Sequence, residues 1–170
     1  TPGMLADWLE LPGAADQISR WSQVSGLDLA TLGTTATAEQ ITDTAVTQPL
    51  VVATTLLAFD ELAKRGLPST TVVAGHSVGE IAAYAIAGVI SADDAVALAA
   101  VRGTEMAKAC AAEPTGMSAV LGGDEDEVLA RLEALELIPA NRNAAGQIVA
   151  AGALAALEKL GPSRALRFAM

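Results

Sequence analysis

The stretch from Thr70 to Gly88, T-T-V-V-A-G-H-S-V-G-E-I-A-A-Y-A-I-A-G, constrains this chain more than any other. Thr71, Val72 and Val73 are β-branched and suit a strand. Val78 to Ala87 is Ala-rich and apolar at helical spacing, so the segment reads strand, abrupt turn, helix. Ser77 falls on the turn, flanked by Gly75 and Gly79 in a G-x-S-x-G pattern. Glycines there permit the tight, strained bend of a nucleophile elbow, with the hydroxyl left exposed. The helix behind it aims its N-terminal amides and the positive end of its dipole at the place where an oxyanion would form on an acyl group attacked by Ser77. The plainer alternative is a Gly-rich turn whose serine only caps the helix.

The rest of the chain can bury such a feature. At 170 residues and 52% hydrophobic composition it suits one domain, or one with a small subdomain, around a sizeable core. A net charge of −10, with neither a basic run nor interleaved aromatics, argues against nucleic acid as a partner. No run of about 18 uncharged apolar residues offers a membrane span, and the N-terminus does not resemble a signal peptide. The one cysteine, Cys110, cannot form an internal disulfide, which suits a reducing cytoplasm. Its Ala-rich helical setting points to buried packing.

In chain order, Leu5 to Leu11 and Ala14 to Val24 read as short helices, with Trp8, Leu9, Ile18, Trp21 and Val24 on apolar faces. Ala38 to Asp43 suggests a further helical turn. A longer helix is expected from about Pro49, a favoured first helical residue, to Arg65, with Gly66 as its stop. Its apolar positions, Leu50, Val51, Ala53, Thr54, Leu57, Ala58 and Leu62, would pack it on the sheet that carries the elbow, with Gln48 at its entrance. Ser91-Ala92-Asp93-Asp94 starts another helix, reaching about Ala112 and carrying Arg102. Beyond Glu113-Pro114-Thr115-Gly116 the pattern becomes strand (117–121), helix (125–135), strand (137–143), strand (147–151), helix (154–160) and strand (165–168). That βαββαβ order is the order of a ferredoxin-like unit.

The hexapeptide Gly75-His76-Ser77-Val78-Gly79-Glu80 resembles the signature of the malonyl-CoA:acyl carrier protein transacylases and the related acyltransferase domains of fatty acid and polyketide synthases. Thr47-Gln48-Pro49-Leu50 is similar to that family's T-Q-P-A/L motif. Arg102-Gly103 with Met106 is similar to its R-G-x-x-M segment, and Gly116-Met117-Ser118-Ala119-Val120 to its G-x-M-x-A-V strand. Asn141-Arg142-Asn143 followed by Gly146-Gln147-Ile148-Val149-Ala150-Ala151-Gly152 resembles its N-x-N…G-Q-x-V-x-x-G hairpin. The resemblance implies an α/β fold in two parts: residues 1–113 as an incomplete α/β-hydrolase-like subdomain bearing the elbow, and 114–170 as the ferredoxin-like subdomain.

It also implies roles. Ser77 would be the nucleophile and the amide of Val78 an oxyanion donor. Arg102 would grip the malonyl carboxylate through paired hydrogen bonds that Lys cannot copy. Gln48, His76, Met106, Asn141 and Asn143 would bind substrate, although Gln48 could equally cap its helix and an isolated mid-helix arginine is most often solvated or ion-paired. Malonyl-CoA and an acyl carrier protein are the implied partners of a cytoplasmic monomer, with CoA and phosphopantetheine thioesters as substrates and neither metal nor redox cofactor. Carrier proteins are themselves acidic, so a local basic patch is needed: Lys64 and Arg65, or Arg142 with Arg164 and Arg167.

Two family segments have no counterpart here. One is the G-Q-G-S/A-Q loop that would precede Thr1 and supply a second oxyanion amide. The other is the G-A-F-H-like segment that supplies the base. The sequence holds one histidine, His76. Directly beside Ser77 on a tight turn, it is poorly placed to take the hydroxyl proton and is expected to support the turn by hydrogen bonding. Little turnover is therefore expected of the chain alone. A serine hydrolase and a non-catalytic fragment or binding module are the alternatives.

Overall fold

The computed structural model describes residues 1–68, 71–160 and the backbone of 165–169. Its contacts group the chain into two units, Thr1–Ala107 and Lys108–Met170.

The first unit is built of helices. A 3₁₀ turn at Trp8–Glu10 is followed by α1 (Ala14–Ser25), α2 (Leu29–Thr34), α3 (Thr44–Ala63), α4 (Val78–Ile86) and α5 (Ala92–Ala112), the last running on into the second unit's residues. Gly13 and Gly26 bound α1 with φ of 83° and 71°, left-handed values that glycine adopts without strain. Ile18 and Trp21 are buried on α1, but Val24 is exposed rather than part of the apolar face expected of it. The helix expected over Leu5 to Leu11 shrinks to the 3₁₀ turn. Leu5 itself is wholly buried against Gly33, where a Cβ would lie 2.4 Å from its Cδ1.

Two further expectations change. Ala38 to Asp43 forms turns, whereas α2 forms just before it, capped by Asp28, whose carboxylate accepts the Thr31 N–H at 3.1 Å and the Thr31 hydroxyl at 2.7 Å. Those bonds hold the Asp28 carboxyl below its ordinary pKa. An Asp followed by a helix-compatible run was the available signal.

Thr71, Val72 and Val73 do not form a strand. The segment from Thr71 to His76 lies outside any ladder, and Val72 is 90% exposed. A strand needs a hydrogen-bonded neighbour, and all four strands among the described residues belong to the second unit. For the same reason α3 packs among α1, α2 and α4 rather than on a sheet. Leu50, Val52 and Ala53 are wholly buried there, while Leu62 is half exposed. At 20 residues and a mean hydropathy of 1.2, α3 is long and apolar enough to cross a bilayer by length and composition, although polar residues and two acids interrupt it. Its buried face is that of a core helix.

The second unit holds β1 (Thr115–Leu121), α6 (Glu125–Ala134), β2 (Ile138–Ala144), β3 (Gln147–Ala153), α7 (Leu154–Glu158) and β4 (Ala165–Ala169). Its sheet has the order β2-β3-β1-β4, every neighbouring pair antiparallel. Ser118 faces Ala150 and Val120 faces Ile148. Ile148 and Ala150 close a core with Leu132, Leu137 and Leu157, so α6 and α7 cover that side of the sheet. The β2–β3 hairpin turns at Ala145-Gly146, with Gly146 at φ 74°. Cys110, expected to be buried, is half-buried on α5.

Candidate active site

Gly75 is the residue that makes the corner. A Cβ placed on it would lie 2.1 Å from the Gly79 carbonyl oxygen and 2.4 Å from the Glu80 nitrogen, closer than any side chain tolerates. Gly79 is different: a Cβ there meets nothing within 4 Å, so only the first glycine of the motif is sterically required by the described residues. With the chain doubled back at Gly75, Ser77 takes φ 56° and ψ −118°, a strained combination for a residue with a side chain. The Ser77 N–H donates to Glu80 Oε1 at 3.2 Å, and the Gly79 and Glu80 amides return to the carbonyls of His76 (3.0 Å) and Ser77 (3.1 Å). These bonds secure the bend from inside the helix. The amide of Val78, first of α4, has no intrahelical acceptor.

Ser77 is exposed. Its Oγ accepts a hydrogen bond from Arg102 Nη2 at 3.1 Å. The other terminal nitrogen of the guanidinium, Nη1, donates to Gln48 Oε1. Gln48 is 5% exposed, and its Nε2 donates to Thr44 Oγ1 at 2.6 Å and lies 3.1 Å from Met106 Sδ. Ser77, Arg102, Gln48 and Met106 thus form one continuous polar chain from α4 through α5 to α3.

The close approach of α3 and α5 has a local cause. A Cβ on Gly103 would lie 2.5 Å from the Thr44 carbonyl oxygen, so glycine beside Arg102 lets the two backbones touch.

Gln48 corrects the sequence reading. Pro49 is not the first residue of α3; the helix starts a full turn earlier at Thr44, where the Asp43 side chain accepts the Ala45 amide at 2.8 Å. A proline's missing N–H forfeits one bond, which this N-capped, tightly packed turn accommodates. Gln48 is therefore neither at the entrance nor a cap, but a buried residue inside the helix. Thr44, four residues earlier, was not anticipated. Its signal was the i, i+4 spacing to Gln48, hidden by the misplaced helix start.

His76 is exposed, and its ring has no hydrogen-bond partner among the described residues. The turn is supported by its backbone carbonyl, not by its side chain as expected. Asn141 and Asn143 lie on β2 of the second unit, Asn141 opposite Val149 and Asn143 at the register shift between Arg142 and Ala144. Of the basic groups, Lys64 is paired with Glu61, and Arg142 with Glu125 at 2.9 Å. Arg164 and the side chain of Arg167 lie outside the described residues. No group of three or more His, Cys, Asp or Glu among the described residues could hold a metal ion.

Residues 3–163 match the family described as "Acyl transferase domain". A malonyl CoA-acyl carrier protein transacylase of Mycolicibacterium smegmatis is 82% identical over 158 residues, 92% of this chain and 54% of the relative. The chain thus spans about half the length of the curated relatives it matches. A crystal structure of MCAT from Mycobacterium tuberculosis superposes with a TM-score of 0.92 at 71% identity, covering 100% of this chain and 58% of that one. A type II PKS acyl-carrier protein in complex with its malonyl-transacylase gives 0.89 at 30% identity, over 100% of this chain and 59% of that one.

Proposed function

Since the chain belongs to the acyl transferase domain family, we propose that it carries the nucleophile and the carboxylate-binding arginine of a malonyl-CoA:acyl carrier protein transacylase. The observation that carries the proposal is the 3.1 Å hydrogen bond from Arg102 Nη2 to Ser77 Oγ at the strained turn. The carboxylate of a malonyl group lies two carbons from the thioester carbonyl that Ser77 would attack. A guanidinium in contact with the attacking oxygen is within reach of that carboxylate, and its planar fork suits it.

In this scheme Ser77 Oγ adds to the thioester carbonyl of malonyl-CoA, and the Val78 amide faces the developing oxyanion. The tetrahedral intermediate collapses with loss of CoA as its thiol, leaving malonyl-O-Ser77. The phosphopantetheine thiol of an acyl carrier protein then attacks that ester and frees the serine hydroxyl, a double displacement. Gln48 and Met106 line the arginine's side of the site. We assign His76, Asn141 and Asn143 to substrate contacts on motif resemblance. The reaction calls on no metal or redox group, and the setting is a cytoplasmic, monomeric enzyme of fatty acid or polyketide synthesis.

The proton of Ser77 needs an acceptor, and the His76 ring makes no hydrogen bond to it. Without such an acceptor the chain forfeits about 10² to 10⁴ in rate. A complex between a malonyl-transacylase and its carrier protein is known among the similar structures, which supports a carrier protein as partner here. With Lys64 and Arg142 ion-paired, the exposed Arg65 is the preferred contact for an acidic carrier.

The proposal extends to the fold: an α/β-hydrolase-like part over 1–113, supported by the elbow's positive φ, and a ferredoxin-like part over 114–170, supported by the antiparallel order β2-β3-β1-β4.

The test is intact-mass spectrometry after incubation with malonyl-CoA. A malonyl adduct on Ser77, absent in Ser77→Ala, is expected at slow rate. No adduct after long incubation, or one that persists in Ser77→Ala, would instead support a non-catalytic chain.

A further inference from the structure

The Gln48 amide can sit only one way round. Arg102 offers donors alone and Met106 Sδ is only an acceptor, so Oε1 must face the guanidinium and Nε2 the sulfur. The Thr44 hydroxyl, at 2.6 Å from Nε2, then serves as the second acceptor. Thr44 is the first residue of α3, one turn ahead of Gln48, and its carbonyl is the atom Gly103 approaches from α5. The same residue thus meets α5 with its backbone and fixes the amide that holds Arg102 with its side chain.

We infer that Thr44 is a positioning residue for acyl-group selection: through Gln48 it keeps the Arg102 guanidinium aimed at Ser77 Oγ. This rests on the transacylase assignment above for its consequence, but not for its geometry. Without the hydroxyl, Gln48 loses one of the bonds that set its amide, and Arg102 gains freedom to turn away. An acyl group with a terminal carboxylate then loses its preorganised partner, whereas acetyl, with no carboxylate, loses little.

The test uses Thr44→Val, which keeps the shape but not the hydroxyl, and Thr44→Ser, which keeps the hydroxyl. Two readouts are followed: the NMR signals of the Gln48 side-chain amide and Arg102 guanidinium in the free chain, and the ratio of malonyl to acetyl adduct on Ser77 from competing CoA thioesters. Thr44→Val is expected to shift and broaden both sets of signals and to lower the ratio about 3- to 10-fold, the worth of one hydrogen bond. Thr44→Ser should restore both. Wild-type signals and ratio in Thr44→Val, or equal impairment in Thr44→Ser, would overturn the inference. If the wild-type chain forms no malonyl adduct, the transacylase assignment fails, and the NMR signals alone decide the positioning role.

Discussion

Arg102 and Ser77, separated by 25 residues of sequence, meet through a 3.1 Å hydrogen bond from Nη2 to Oγ. The bond joins the middle of one helix to the N-terminus of another. It is made possible by two glycines: Gly75, which folds the turn, and Gly103, which brings α5 against α3.

Replacing Arg102 tests what that proximity selects. Arg102→Ala should lower malonyl transfer to Ser77 by about 10- to 100-fold, the range for a charge-assisted hydrogen bond, while changing acetyl transfer much less. Arg102→Lys should recover only part of the loss, because an ammonium cannot bind a carboxylate through two parallel bonds. Competition between malonyl-CoA and acetyl-CoA, read by intact mass, gives the ratio directly. Equal losses for the two acyl groups would remove the proposed role.

The two motif glycines should behave oppositely. Gly75→Ala forces a Cβ against the Gly79 backbone and should cost about 1–3 kcal/mol in urea denaturation. Gly79→Ala meets open space on a helix and should be neutral or mildly stabilising. Similar penalties at both positions would mean that the turn is not held together at Gly75.

Leu50 is wholly buried on the core side of α3. Leu50→Ala should destabilise the first unit by about 2–5 kcal/mol, seen as a lower urea midpoint. A loss below about 1 kcal/mol would show that α3 is not the core helix it is taken to be.

Asp28 gives the chain a specific acid sensitivity. Its folded pKa lies below the ordinary 3.8 because the Thr31 hydroxyl and amide bond the charged carboxylate. Its contribution to stability is therefore complete above 3.8 and is lost as pH falls toward the lower folded value. Asp28→Asn keeps a capping oxygen but removes the titration. Between pH 5 and about pH 2.5, wild-type stability should fall more steeply than that of Asp28→Asn in parallel denaturation curves; equal slopes would refute the linkage.

Local chemistry made much of this legible in sequence. Gly-x-Ser-x-Gly between a β-branched run and an Ala-rich run marked the turn. Ser91 ahead of Asp94 marked the start of α5, where the hydroxyl accepts the Asp94 amide at 3.0 Å. Met117 to Leu121 and Gln147 to Ala151 read as strands, and in the structure these two pair with each other. Errors arose where a residue's local preference was overruled by its surroundings. Pro49 favours a first helical position, but the Asp43 cap and packing around Gln48 carry the helix through it. Thr71 to Val73 favour a strand but find no neighbour to pair with among the described residues.

The sequence by itself determined the sharp turn at Ser77, the helix that carries Arg102 and the succession of strands and helices along the second unit, because each depends on contacts within a few residues. Only the tertiary structure decided that Arg102 turns toward Ser77, that Gln48 is buried against it, and that Thr44 stands behind both. Those contacts join residues on three separate helices, and their geometry depends on how closely Gly103 lets α5 approach α3, a distance that no periodicity in the sequence encodes.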